Sequence, residues 1–172
     1  MAVRPILLYP EPVLRRSAAP VERFDAGLAE LVRDLAETMY AAPGVGLAAP
    51  QIGVELRVAV VDVASGTPES KLHVLVNPAI VGAEGREAGE EGCLSIPGLS
   101  ERVDRPRRIR VAAHGVEGEP VELAVEGFLA RAVCHEIDHL DGILFFDRLT
   151  GLRKELALRR LRKLPFLEGR AL

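Results

Sequence analysis

Cysteine is scarce in this chain of 172 residues: Cys93 and Cys134 are the only two. A chain this long buries about 70 % of its unfolded surface and forms a core without disulfide staples. The two thiols are therefore read as free. Long apolar runs are also missing, and none approaches the roughly 18–20 residues of a membrane span. Met1 to Arg16 carries Pro5, Pro10 and Pro12 among regular charges and lacks the apolar stretch of a secretory signal. The expectation is a soluble, cytoplasmic protein with no membrane partner. Charge of one sign is missing too. Lys and Arg number 22 against 25 Asp and Glu, net −3, so no whole-surface attraction to DNA is expected. Sixteen glycines and twelve prolines fall well short of the roughly 25–30 % that marks low complexity. No internal repeat is present. Length and composition suit one domain over residues 1–172.

The periodicity that is there predicts α+β. Leu28, Leu31, Val32, Leu35 and Met39 recur at helical spacing from Asp25 to about Tyr40. Asp25 is the expected N-cap, and Pro43 and Gly44 the stop. The Gly- and Ala-rich stretch Val45 to Gly53 reads as a close-approach loop. Leu56 to Val63 and Leu72 to Val81 read as strands, the second interrupted at Asn77-Pro78. Gly82 to Gly92 reads as a loop or edge hairpin. Val103 to His114 and Glu119 to Val125 read as strands about a turn at Gly115 to Gly118. Glu126 to Leu140 is helical by spacing, with Gly142 as its stop, and Leu152 to Leu164 is a final helix closed by Pro165. Together these predict mixed or antiparallel strands packed around a central helix that carries an HExxH motif, with a C-terminal helix.

That motif is His135-Glu136-Ile137-Asp138-His139. Imidazoles at i and i+4 point the same way and can grip one metal ion, while the adjoining Glu can act as general base on a metal-activated water. The plain alternative is a solvated helix face with two incidental histidines. The chain spends two of its four histidines here, which weighs against it. A catalytic site of this kind uses three protein ligands. No His follows His139, and Asp141 is too near in sequence to share the face. Cys93, in Glu91-Gly92-Cys93-Leu94-Ser95, is a soft ligand preceded by a glycine. Cys134 lies about 100° around the helix from the His pair and is read as packing. His73 and His114 lack ligand spacing. In Gly44-Val45-Gly46-Leu47-Ala48-Ala49-Pro50-Gln51 the small residues suit a substrate backbone, and the Gln51 amide suits a developing oxyanion. A turn with a surface Gln is equally open on that segment alone.

The three segments GVGLAAPQ, EGCLS and HEIDH, in this order and spacing, resemble the peptide deformylases along the whole chain. The resemblance implies a metallohydrolase that removes the formyl group from N-formylmethionyl nascent peptides and releases formate. It implies Cys93, His135 and His139 as ligands of Fe2+, with zinc, nickel or cobalt able to replace it. It implies Glu136 as the proton shuttle, with Gln51 and the Leu94 N–H stabilising the oxyanion. Val45 and Gly46 are implied to hold the substrate backbone, and Glu91, Phe128 and Ala132 to flank the methionine pocket. Family members commonly carry Gln where this chain has Cys134, and some carry Arg where it has Ser100. Arg131 is read as an exposed neighbour of the pocket, and Arg102 and Arg105 as surface arginines. The C-terminal helix is basic through Arg153, Lys154, Arg159, Arg160, Arg162 and Lys163. Ribosomal RNA is the partner it implies, against the plainer reading of a docked helix with a solvated face. The competing functions are a zinc endopeptidase with a downstream acidic ligand and a non-enzymatic metal or ribosome-binding module.

Overall fold

The computed structural model describes residues 3–167. Helix α1 (Ala26–Ala41) starts where the Asp25 carboxylate accepts the Gly27 and Leu28 N–H groups. Its face of Leu28, Val32, Leu35 and Met39 is buried, the period-3.6 stripe of the sequence. Strands β1 (Gly46–Ala48), β2 (Val58–Val61), β3 (His73–Glu84), β6 (Arg108–His114) and β7 (Pro120–Glu126) form one sheet in the order β1-β2-β3-β6-β7. Each neighbouring pair is antiparallel. Strands β4 (Glu87–Cys93) and β5 (Ile96–Arg105) form a separate antiparallel hairpin. Helix α2 (Gly127–Leu140) follows β7, and helix α3 (Gly151–Leu161) ends the described chain together with a short turn.

Period-2 alternation divides the core between two helices. Val58 and Val60 of β2 pack with the α1 stripe. Val61, Leu75 and Val111 pack with Val133, Cys134 and Ile137 of α2. The five-stranded sheet is thus covered by α1 on one face and α2 on the other. A third cluster, with Ile96, Val103, Phe145, Phe146, Ala157 and Leu161, seats α3 against β5. This is the expected α+β arrangement, with α2 at its centre.

The local differences have local causes. Of the loop and the edge hairpin expected for residues 82–92, the structure has strands: β3 runs to Glu84, the chain turns through Gly85, and β4, one arm of the β4–β5 hairpin, begins at Glu87. Its Gly89 serves a close approach of Arg131. The stretch 103–114 is two strands, because β5 ends at Arg105 and β6 begins at Arg108 on either side of Pro106, which has no N–H to donate. Within 45–53 the chain forms β1 and a 3-10 turn, Ala49–Ile52, closed by Gly53 at φ 80°. At Asn77 the interruption of β3 is a bulge, and Asn77 takes φ 51° just before Pro78, a region disfavoured there. Its side chain holds the bulge by accepting the Val21 N–H (2.8 Å) and donating to the Val21 carbonyl (2.9 Å). Asn77→Ala should therefore lower stability by about 1–3 kcal/mol. Urea unfolding will show it as a lower midpoint at unchanged slope, and Asn77→Gly should recover part of the loss.

Candidate metal centre

Helix α2 is buried without a break from Ala130 to Leu140. Its apolar side meets the sheet. Its polar side, with Arg131, His135, Glu136, Asp138 and His139, is also buried, so each of these groups needs a partner. The β4–β5 hairpin supplies most of them. The ladder slips between Gly92 and Cys93, and this irregularity sets Cys93 against α2. The Cys93 Sγ lies 3.2 Å from His139 Nε2, which lies 3.2 Å from His135 Nε2. The ligand atoms of Cys93, His135 and His139 all fall within 4.8 Å of one another.

These separations fit one cation. Ligand distances of 2.0–2.3 Å in a tetrahedral arrangement place donor atoms about 3.3–3.7 Å apart. His135 Nδ1 lies 3.1 Å from a Glu91 oxygen. That contact assigns the proton to Nδ1 and leaves the Nε2 lone pair facing Cys93 and His139. Burial holds the His139 imidazole well below its usual range, whereas at His135 burial is outweighed by the Cys93 and Glu91 hydrogen bonds, which raise it; binding a cation requires both rings neutral. Three protein donors leave one position of a tetrahedral ion open. Among the described residues this is the one such His, Cys and carboxylate cluster. Of the downstream acids, Asp141 takes the Arg57 guanidinium at 2.6 Å, Asp147 pairs with Arg15 and accepts the Leu144 N–H, and Glu155 is exposed on α3. Glu168 lies outside the described residues. Cys134 is buried in the α2 cluster, and burial pushes its thiol up to about 11, so it is packing.

Glu136 and Gln51 flank the three donors. Burial pushes the Glu136 carboxyl up to about 7, and its Oε2 is buried with no hydrogen-bond partner among the described residues. Gln51 is 2 % exposed, not a surface side chain. Its Oε1 accepts the Ala48 N–H (2.9 Å), which turns Nε2 toward Ser95 Oγ (3.1 Å) and Cys93 Sγ (3.6 Å). The two glycines of the first motif make room for both neighbours. A Cβ on Gly46 would collide with the Glu136 carboxylate, and one on Gly44 would come within 2.7 Å of Leu94 Cδ1. A cleft of about 350 Å³ opens onto the donors, with Val45, Gly46, Gln51, Leu94, Phe128 and Glu136 in its walls. Glu91 and Ala132 also line it. All the residues named from the sequence therefore meet in one place. A larger hollow of about 540 Å³ lies between β3, β6 and β7 and has none of these donors.

Two expectations need correction. Arg131 is 6 % exposed and Arg105 is 4 % exposed; neither is a surface arginine, whereas Arg102 is exposed. They are buried because Glu91 lies between them. Arg105 gives it two hydrogen bonds (2.8 and 3.0 Å) and Arg131 a third (2.9 Å). Arg105 also reaches Asp138 at 2.6 Å, which Arg148 holds from the other side at 2.5 and 3.0 Å. Burial alone would raise the Glu91 carboxyl, but the Arg105 and His135 hydrogen bonds win and hold it at about 2. Ser95 and Asp138 lie inside the quoted motifs, but sequence reasoning gave them no role. It missed Phe145, whose ring stacks 6.1 Å from that of His135 and which no local pattern marks.

The sign of the Glu91 effect follows. A depressed carboxylate pKa contributes stability that is fully present above about pH 4.5 and is lost as the pH falls toward 2. Arg105→Met takes one cationic partner from each of two buried carboxylates, Glu91 and Asp138, so it should cost about 3–5 kcal/mol at neutral pH. It should also move the acid-unfolding midpoint upward, as followed by circular dichroism.

Residues 3–155 match the family model described as polypeptide deformylase. The chain is 48 % identical over 165 residues to a peptide deformylase of Acidobacterium capsulatum, covering 95 % of this chain and 96 % of that one. It is 46 % identical to the solved peptide deformylase of Legionella pneumophila, with a TM-score of 0.88 over 99 % of this chain and 100 % of that one. For the solved enzyme of Thermus thermophilus the identity is 49 %, the TM-score 0.88, and the coverage 94 % of each chain. No helix among the described residues is long and apolar enough to cross a membrane. With its core, its cleft and its Cys-His-His cluster in place, the chain belongs to the polypeptide deformylase family of hydrolases.

Proposed function

We infer that the chain acts as one catalytic domain over residues 1–172, removes the formyl group from N-formylmethionyl nascent peptides in the cytoplasm, and releases formate. The observation that carries this reading is the convergence of Cys93, His135 and His139 within 4.8 Å, beside Glu136 and the inward-turned Gln51 amide. Cys93, His135 and His139 would hold Fe2+, which zinc, nickel or cobalt could replace. Bound there, the cation would supply Lewis acidity for the activation of water.

The protein groups do the rest. Val45, just before the edge strand β1, and Gly46, its first residue, hold the substrate backbone, since among the described residues β1 pairs in the sheet with β2 alone and leaves its other edge unpaired. Phe128 and Ala132 on one wall and Glu91 on the other flank the methionine side chain. Water adds to the formyl carbon, and Glu136 takes the proton that water gives up. The oxygen that becomes anionic is met by the Gln51 amide and the Leu94 N–H. Glu136 then passes its proton to the leaving nitrogen, the C–N bond breaks, and formate and a free amine result. Burial raises the Glu136 carboxyl above the usual carboxylate range, which favours its returning the proton it has accepted.

Contact with ribosomal RNA is part of the same reading. Ala157 and Leu161 seat α3, and Arg160 and Arg153 are engaged with Glu101 and the Arg102 carbonyl. Arg159, Arg162 and Lys163 remain exposed for phosphates.

Two measurements test the assignment. Anaerobically prepared protein should release formate from formyl-Met-Ala-Ser. Glu136→Gln should lower kcat by about 10²–10⁴-fold while metal analysis still finds a full complement; unchanged turnover would remove Glu136 from the mechanism. Cys93→Ala should lose the metal itself on gel filtration, whereas an HExxH endopeptidase with a ligand elsewhere would retain it.

A further inference from the structure

Arg131 lies one turn before His135 on α2 and lines the cleft. Its guanidinium is spent on the opposite wall. Nη1 donates to the carbonyls of Val103 (2.7 Å) and Gly89 (3.2 Å) and to the Glu91 carboxylate (2.9 Å). Nη2 donates to the Glu87 carbonyl (2.7 Å). All four acceptors belong to β4 or β5. A Cβ on Gly89 would lie 2.8 Å from Nε and 2.9 Å from Cζ, so the guanidinium rests directly on the bare backbone of β4. A rigid planar fork with five donors can make such a contact; a flexible point charge cannot.

The position of this contact matters. Phe128 and Ala132, on the same helix as Arg131, form one wall of the cleft, and Glu90, Glu91 and Gly92 of β4 form the other. Arg131 bridges the two walls. Without it, three carbonyls lose this donor, and helix and hairpin stay tied only one and two turns further along α2, at His135–Glu91 and Asp138–Arg105.

The geometry points to Arg131 as a specificity-determining strut: it fixes the width of the side-chain pocket between α2 and the β4–β5 hairpin, and thereby favours a slender unbranched first side chain over a bulky one. Arg131 acts through the walls it separates and is a positioning residue. This inference rests on the deformylase reading above.

The test compares kcat and KM for formyl-Met-Ala-Ser, formyl-norleucyl-Ala-Ser and formyl-Phe-Ala-Ser. The proteins are wild type, Arg131→Met, Arg131→Lys and Gly89→Ala, each nickel-loaded with metal content measured. The preference in kcat/KM for formyl-Met over formyl-Phe should fall about tenfold in Arg131→Met, mainly through a higher KM for the Met substrate. Norleucine, which has the shape of Met, should follow it. Gly89→Ala leaves Arg131 in the chain but unseats its guanidinium, and should shift the preference in the same direction. It carries the test alone if Arg131→Met does not fold. Arg131→Lys should not restore the preference. Parallel losses on all substrates, with the Met-to-Phe ratio unchanged in both Arg131→Met and Gly89→Ala, would mean a purely structural arginine and overturn the inference. Failure of the wild type to release formate from any of the three peptides would overturn the deformylase reading itself, a result visible before any variant is compared.

Discussion

One buried carboxylate holds the centre together. Glu91 sits 6 % exposed between two arginines and a histidine. Leaving such a charge unpaired would cost several kcal/mol, so its partners are fixed in place as firmly as it is. Two of them, Arg131 and His135, lie on α2, and Arg105 lies on β5. The carboxylate therefore docks the hairpin onto the helix and in the same contact orients the imidazole that faces Cys93. Asp138 extends the arrangement to Arg148. Folding of the hairpin and formation of the donor cluster are one event.

Backbone bareness is the second constraint. Around the cleft, three glycines lie where a neighbouring group presses on the main chain: Gly44 under Leu94, Gly46 under Glu136 and Gly89 under Arg131. In each case the approach is closer than any Cβ permits, and in each case the neighbour lines the cleft. The glycines are there for what they admit rather than for the turns they allow.

Much of this was legible in the chain. Periodicity located α1, α2 and α3 to within a few residues, because each buries an apolar stripe that repeats every three or four positions. The donor set was legible because chemistry at a metal restricts residue types and, on a helix, their spacing. The strand β4 was not legible: its inward residue Glu91 is charged and its other positions are rich in Gly and Glu, so it lacks the alternation that marks a half-buried strand. The burial of Arg105 and Arg131 was hidden for the same reason. A lone arginine reads as surface until its acceptor is known, and Glu91 is 14 residues from one and 40 from the other.

The opening segment adds a temporal dimension. The Leu7 N–H binds the Gln51 carbonyl at 2.8 Å, and the Tyr9 N–H binds the Ser95 carbonyl at 2.9 Å. The first stretch of chain thus lies across the two segments that bear Gln51 and Cys93, while the imidazoles arrive only with residues 135 and 139. During synthesis the ends of this arrangement leave the ribosome far apart in time, and every one of its closures spans tens of residues. The polypeptide has no means of gripping an ion until most of it has been made.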